Sequence, residues 1–117
     1  MKYLKICVIA VFAVLVSTAC FNSQKKPFVI AESKSYEASL FRQNCAICHG
    51  PESNGRTLGN GMVVPSLREG QFKAPTEAAI ANQITNGGNG MVPFRGALTQ
   101  REINMMTEFV YRDLRGH

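Results

Sequence analysis

Five consecutive residues of this 117-residue chain, Cys45-Ala46-Ile47-Cys48-His49, have types and spacing suited to cofactor chemistry. Cys-x-x-Cys-His is the pattern that attaches a c-type haem. Thiols at that separation reach the two vinyl groups of one macrocycle and form thioethers. The adjoining histidine lies under the iron and offers it an imidazole nitrogen. Such a centre handles electrons. What it does then depends on the sixth ligand, the location and the partner.

Other uses of these cysteines have less support. A zinc site needs further Cys or His ligands, and the only other histidine is His117, at the C-terminus. A thioredoxin-like pair sits in a βαβ unit, and no such pattern is present. Lys2 and Lys5 precede an apolar run from Ile6 to Val16, shorter than the ~20 residues that span a bilayer. A basic start, a short apolar core and small residues make an export signal over residues 1–19. Its end, Val16-Ser17-Thr18-Ala19-Cys20, resembles a bacterial lipoprotein cleavage site. It departs from that pattern at Ser17, where an aliphatic residue is usual. The resemblance implies that Cys20 becomes the first mature residue and carries the lipid. Cys7 leaves with the signal, so no pair remains for a disulfide. Two acyl chains or more anchor a protein stably where one is marginal.

Residues 20–34 read as the lipidated N-terminus and a polar tether, with a short apolar Phe28-Val29-Ile30 that either stays in the tether or packs on the domain. Residues 35–117 form one small domain, short enough to need a cofactor or cross-link in its core. Without Lys2 and Lys5, 11 of the 13 basic residues remain against 8 acidic ones, a net charge of +3. The basic residues are scattered and not interleaved with aromatics, which argues against nucleic acid.

Three helices are predicted. The first runs from Tyr36 to Asn44 into the Cys-x-x-Cys-His motif. The second runs from Glu77 to about Thr85, with Thr76 as N-cap and Gly87-Gly88 as stop. The third opens on a capping box, Thr99-Gln100-Arg101-Glu102, with Leu98 and Ile103 at the positions of a hydrophobic staple. Its apolar stripe is Ile103, Met106, Val110 and Leu114, with Phe109 beside it. No strand pattern is evident, and residues 50–75 read as loop wrapped over the cofactor.

The sixth ligand is sought among the methionines. Met105 and Met106 lie within the last helix, where a methionine usually fills core. Met62 and Met91 lie in loops. Met91 comes directly after Gly87-Gly88-Asn89-Gly90, which lets the backbone turn close to a macrocycle, and Pro93 stiffens the loop beyond the ligand. The same glycines lack the Gly-Lys-Ser/Thr ending of a phosphate loop.

The order of helix, Cys-x-x-Cys-His, Pro65-Ser66-Leu67, helix, Gly88-Asn89-Gly90-Met91-Val92-Pro93-Phe94 and capped C-terminal helix resembles class I cytochrome c over nearly all of residues 35–117. The resemblance implies an all-α fold, three to four helices around one haem c held by Cys45 and Cys48. It implies His49 and Met91 as axial ligands. It also implies that Pro65 accepts a hydrogen bond from the other nitrogen of His49. The first and last helices of that family cross through Phe41 here, with Phe109 as its aromatic partner and Tyr111 as runner-up. Leu114 lies one residue further on than the family spacing. Arg56 and Arg68 are candidate partners of the haem propionates.

The function this implies is one-electron transfer with no catalytic residue, on the periplasmic face of a bacterial membrane. Partners are then a quinol-oxidising complex, a terminal oxidase, or a periplasmic reductase or dehydrogenase. The alternatives are a cytochrome subunit of a larger redox enzyme, or a gas sensor or small peroxidase in which Met91 is displaceable.

Overall fold

A computed structural model describes Tyr3 and residues 26–117. Apart from Tyr3, the export signal, Cys7, Cys20 and the first residues of the tether lie outside the described residues. Among the described residues no helix is long and apolar enough to cross a membrane.

Ser35 opens α1 (Tyr36–Asn44), its hydroxyl accepting the Ala38 N–H, a cap that contributes about 1 kcal/mol. Cys45 closes α1 by donating its N–H to the Phe41 carbonyl at 2.8 Å. It also begins α2, the single turn Ala46–His49. Both cysteines and the histidine therefore ride on nearly continuous helical backbone. α3 spans Glu77–Asn86, with the Thr76 hydroxyl accepting the Ala79 N–H. α4 spans Gln100–Glu108 and carries the complete capping box, Thr99 and Glu102 each satisfying the other's backbone N–H. The chain continues as a π-helical segment, Phe109–Leu114.

The fold is helical but not all-α. A short antiparallel hairpin, β1 (Arg56–Thr57) and β2 (Val63–Val64), pairs Arg56 with Val64 and Thr57 with Val63. Each strand has two residues, too few for an alternating pattern to show in sequence.

The core gathers Leu40 and Phe41 of α1, Ile80 and Ile84 of α3, and Ile103, Met106, Phe109, Val110 and Leu114 of the last helix. Leu98 and Ile103 are both buried, as a hydrophobic staple requires. The helix crossing is aromatic: the rings of Phe41 and Phe109 lie 6.1 Å apart at 56°. Tyr36 ties the helix starts together, its hydroxyl donating to Glu102 Oε1 at 2.6 Å.

The packed domain starts before residue 35. Phe28 meets Phe109 edge to face, with ring centroids 5.2 Å apart, and Ile30 is fully buried at 0% exposure. Charged side chains fasten this strap. The Glu52 carboxylate accepts the N–H groups of Ile30 and Ala31 at 2.9 and 2.8 Å. Arg68 pairs with Glu52 at 3.2 Å and donates to the Phe28 carbonyl at 2.9 Å. Arg42 donates to the carbonyls of Ile30 and Ser33. Of the two readings of Phe28-Val29-Ile30, the packed one is what the structure shows for Phe28 and Ile30.

Candidate cofactor site

The end of α2, the hairpin, the loop after it and the loop after α3 enclose a cavity of about 250 Å³. A space of about 90 Å³ shares Cys45, His49, Met91 and Arg115 with it and reaches the core at Phe41 and Met106. Of the site residues expected from sequence, Cys45, Cys48, His49, Pro65 and Met91 all line the cavity.

The cysteines are free thiols. Burial pushes the Cys45 thiol up to about 12, with the neighbouring Cys48 adding to the shift. A redox-active pair needs a lowered thiol pKa, so the direction is wrong for one. Among the described residues, no group of three or more His, Cys, Asp or Glu is placed to hold a metal ion between its side chains. Burial lowers the His49 pKa, which favours the neutral imidazole that a metal requires. Its Nδ1 is buried and has no hydrogen-bond partner. The hydrogen bond expected between His49 and Pro65 is therefore not made. Pro65 contributes its backbone here. It backs on Gly55, where an added Cβ would stand 2.8 Å from the Pro65 carbonyl carbon.

Met91 is brought in by a tight reversal. Gly88 and Met91 exchange N–H···O bonds of 2.8 and 3.0 Å. Asn89 and Gly90 between them have φ of 52° and 87°, the signs that a type I′ Asn-Gly turn needs. At Gly87 (φ 67°) a Cβ would lie 2.8 Å from Pro93 N, so only glycine lets the loop close on itself. The Gln83 amide donates to Met91 Sδ at 3.9 Å. Met62, at the hairpin tip, lines the same cavity and lies against Gly90.

Neither arginine singled out in sequence lines the cavity. Arg68 is committed to Glu52 and Phe28, and Arg56 Nη1 donates to the Ile47 carbonyl at 3.2 Å. The cations that do line it, Arg115 and Lys73, were missed along with Gln83 and Leu58, while Met62, already weighed as a loop thioether, joins them there. Long-range folding brings these together, and no local motif marks them.

The chain matches the family model for the cbb3-type cytochrome c oxidase subunit III over residues 37–110. It is 30% identical over 109 residues to cytochrome c6 of Thermosynechococcus vestitus, covering 93% of this chain and 88% of the relative. The chain belongs to the cytochrome c family. A cytochrome c6 of Limnospira maxima is 35% identical over 77 residues, covering 62% of this chain and 84% of the relative. A solved structure, the KustC0563 c-type cytochrome, superposes with a TM-score of 0.54 at 31% identity, covering 62% of this chain and 90% of that one.

The cytochrome carries one covalent haem c, with Cys45 and Cys48 of the motif as its attachment points. It is an electron carrier and not an enzyme. The residues present fit the group: two cysteines on the wall of a largely apolar cavity, a neutral histidine with an orphaned ring nitrogen, and loop thioethers. When bound, the haem supplies one-electron Fe(III)/Fe(II) chemistry. The chain's part is to hold it, ligate it and exclude water.

Proposed function

We propose that this cytochrome is an exported, lipid-anchored carrier whose iron is ligated by His49 and Met91. The observation that carries the ligation is that His49 and Met91 line the cavity whose wall holds Cys45 and Cys48. A thioether is a soft donor that favours Fe(II), and burial disfavours the more highly charged Fe(III) centre, so both raise the reduction potential. A complete ligand set also keeps small gases off the iron. The anchor is Cys20, set at the end of the export signal, and it places the domain on the periplasmic face of a membrane.

The partners we propose are membrane redox complexes. The match to an oxidase-subunit family favours a terminal oxidase, either as acceptor or as the assembly in which this chain serves as a subunit. A quinol-oxidising complex, or a periplasmic reductase or dehydrogenase, completes the set. Encounters of this kind are weak and small in area.

The test is spectroscopic. The oxidised protein should show a methionine-to-iron charge-transfer band, and the reduced protein should not bind carbon monoxide. Prompt carbon monoxide binding would instead mean a labile sixth site and a sensor or peroxidase role. Met62 is the second reading, favoured by its place on the same wall beside Gly90. A charge-transfer band that survives Met91→Ala and vanishes in Met62→Ala would transfer the assignment.

A further inference from the structure

The last helix is unusual in its final turn. The Arg115 N–H bonds to the Val110 carbonyl at 3.2 Å, five residues back. In an α-helix, residue 115 would stand about 140° round the axis from residue 110 at about 100° per residue. The wider π-turn reduces that offset and brings Arg115 closer to the side of Val110, which is buried. The extra residue before Leu114 is thus absorbed as a π-helical segment, and Arg115 comes to the core side. There it lines both spaces of the cavity. Its Nε and Nη1 donate to the carbonyls of Leu67 and Ala74 at 3.3 and 2.6 Å. Its Cζ stacks 3.8 Å from the Phe72 ring centroid. A guanidinium has five N–H donors, so donors remain for a ligand. Among the described residues the cavity wall carries Arg115 and Lys73 but no aspartate or glutamate, which suits an anionic guest.

We infer that the π-helical turn delivers Arg115 as the cation that holds a carboxylate (propionate) of the haem, with Lys73 as the other positive charge on that wall. The inference rests on haem c being bound at Cys45 and Cys48, which the pyridine haemochrome spectrum verifies before any variant is compared. The titratable groups facing Arg115 are Tyr111 on its own helix, with His117 stacked on it at 4.6 Å, Lys73 on the covering loop and His49 across the cavity. A carboxylate beside a fixed cation stays ionised in both redox states. Without the cation, burial raises its pKa, and its ionisation couples to the charge on the iron.

The experiment is the reduction potential against pH, from roughly pH 4 to 8. Wild type and Arg115→Lys should be nearly flat, and Arg115→Gln should fall as pH rises. Superimposable profiles for wild type and Arg115→Gln would reduce Arg115 to a clamp on the loop. Should Arg115→Gln not fold, infrared spectra with carbon-13 propionates decide between wild type and Arg115→Lys. The carboxylate stretch should shift when the planar fork becomes an ammonium, and an unchanged stretch overturns the assignment.

Discussion

Ile30→Ala asks whether the strap belongs to the domain. Ile30 is 0% exposed and sits beside Phe28, which meets Phe109. Truncating a buried isoleucine costs about 2–5 kcal/mol, depending on how far the surroundings collapse into the cavity left. Collapse is restricted here. The Ile30 and Ala31 N–H groups are fastened to Glu52, and the Ile30 carbonyl to Arg42. The strap cannot slide inward without breaking those bonds, so we expect about 3 kcal/mol. In a domain of this size that lowers the thermal midpoint by on the order of 10–20 °C. The assay is guanidinium unfolding of the haem-loaded protein, monitored by helical circular dichroism. The midpoint should fall while the slope m is kept, because the surface exposed on unfolding hardly changes. A loss under about 0.5 kcal/mol, the range of surface substitutions, would refute the reasoning and return residues 28–34 to the tether.

Met91→Ala should open the iron, abolish the charge-transfer band and lower the potential, as read by absorption and redox titration. Phe109→Ala should cost about 3–5 kcal/mol. A double-mutant cycle with Phe28→Ala should give a coupling of about 0.5–1.5 kcal/mol for the edge-to-face pair. Gly87→Ala forces a side chain onto a glycine-only backbone (φ 67°, ψ −152°) and against Pro93 N; that backbone strain alone costs about 1–3 kcal/mol. It should also weaken Met91 ligation, seen as a faster response to carbon monoxide. Glu102 is held down to about 2 from 4.5, first by the Tyr36 hydroxyl and then by Thr99. Its folded pKa is the lower one, so its contribution to stability is present above pH 4.5 and fades as pH falls towards 2. Tyr36→Phe should flatten the fall of stability with acid in that window.

The helices were legible because their ends are marked locally. Thr76, Thr99 and Glu102 satisfy backbone N–H groups within three residues of themselves, and side-chain spacing alone reveals that. Phe41 and Phe109 were legible from the family resemblance, and their rings do meet at the crossing. The strap was only half legible. Phe28 and Ile30 are apolar in a polar stretch, but Glu52 and Arg68, 21 to 40 residues away, fasten them. The hairpin was missed because two-residue strands have no period. Arg115 was missed because its position depends on a change of helical hydrogen bonding. The one-residue surplus before Leu114 was visible in sequence, but not which way the extra residue would turn its successor.

The strap also sets the length of the leash. With Cys20 as the proposed anchor and a domain starting at residue 35, fifteen residue steps separate them, at most about 50 Å of chain. Fixing Phe28 to the core leaves eight steps, at most about 28 Å. That is close to the diameter of a small domain. On such a leash the cytochrome can turn over the membrane beneath it but cannot lift its cleft far from the surface. A membrane-embedded partner then meets it by diffusion in a plane. A freely soluble one has to come down to the bilayer to exchange an electron.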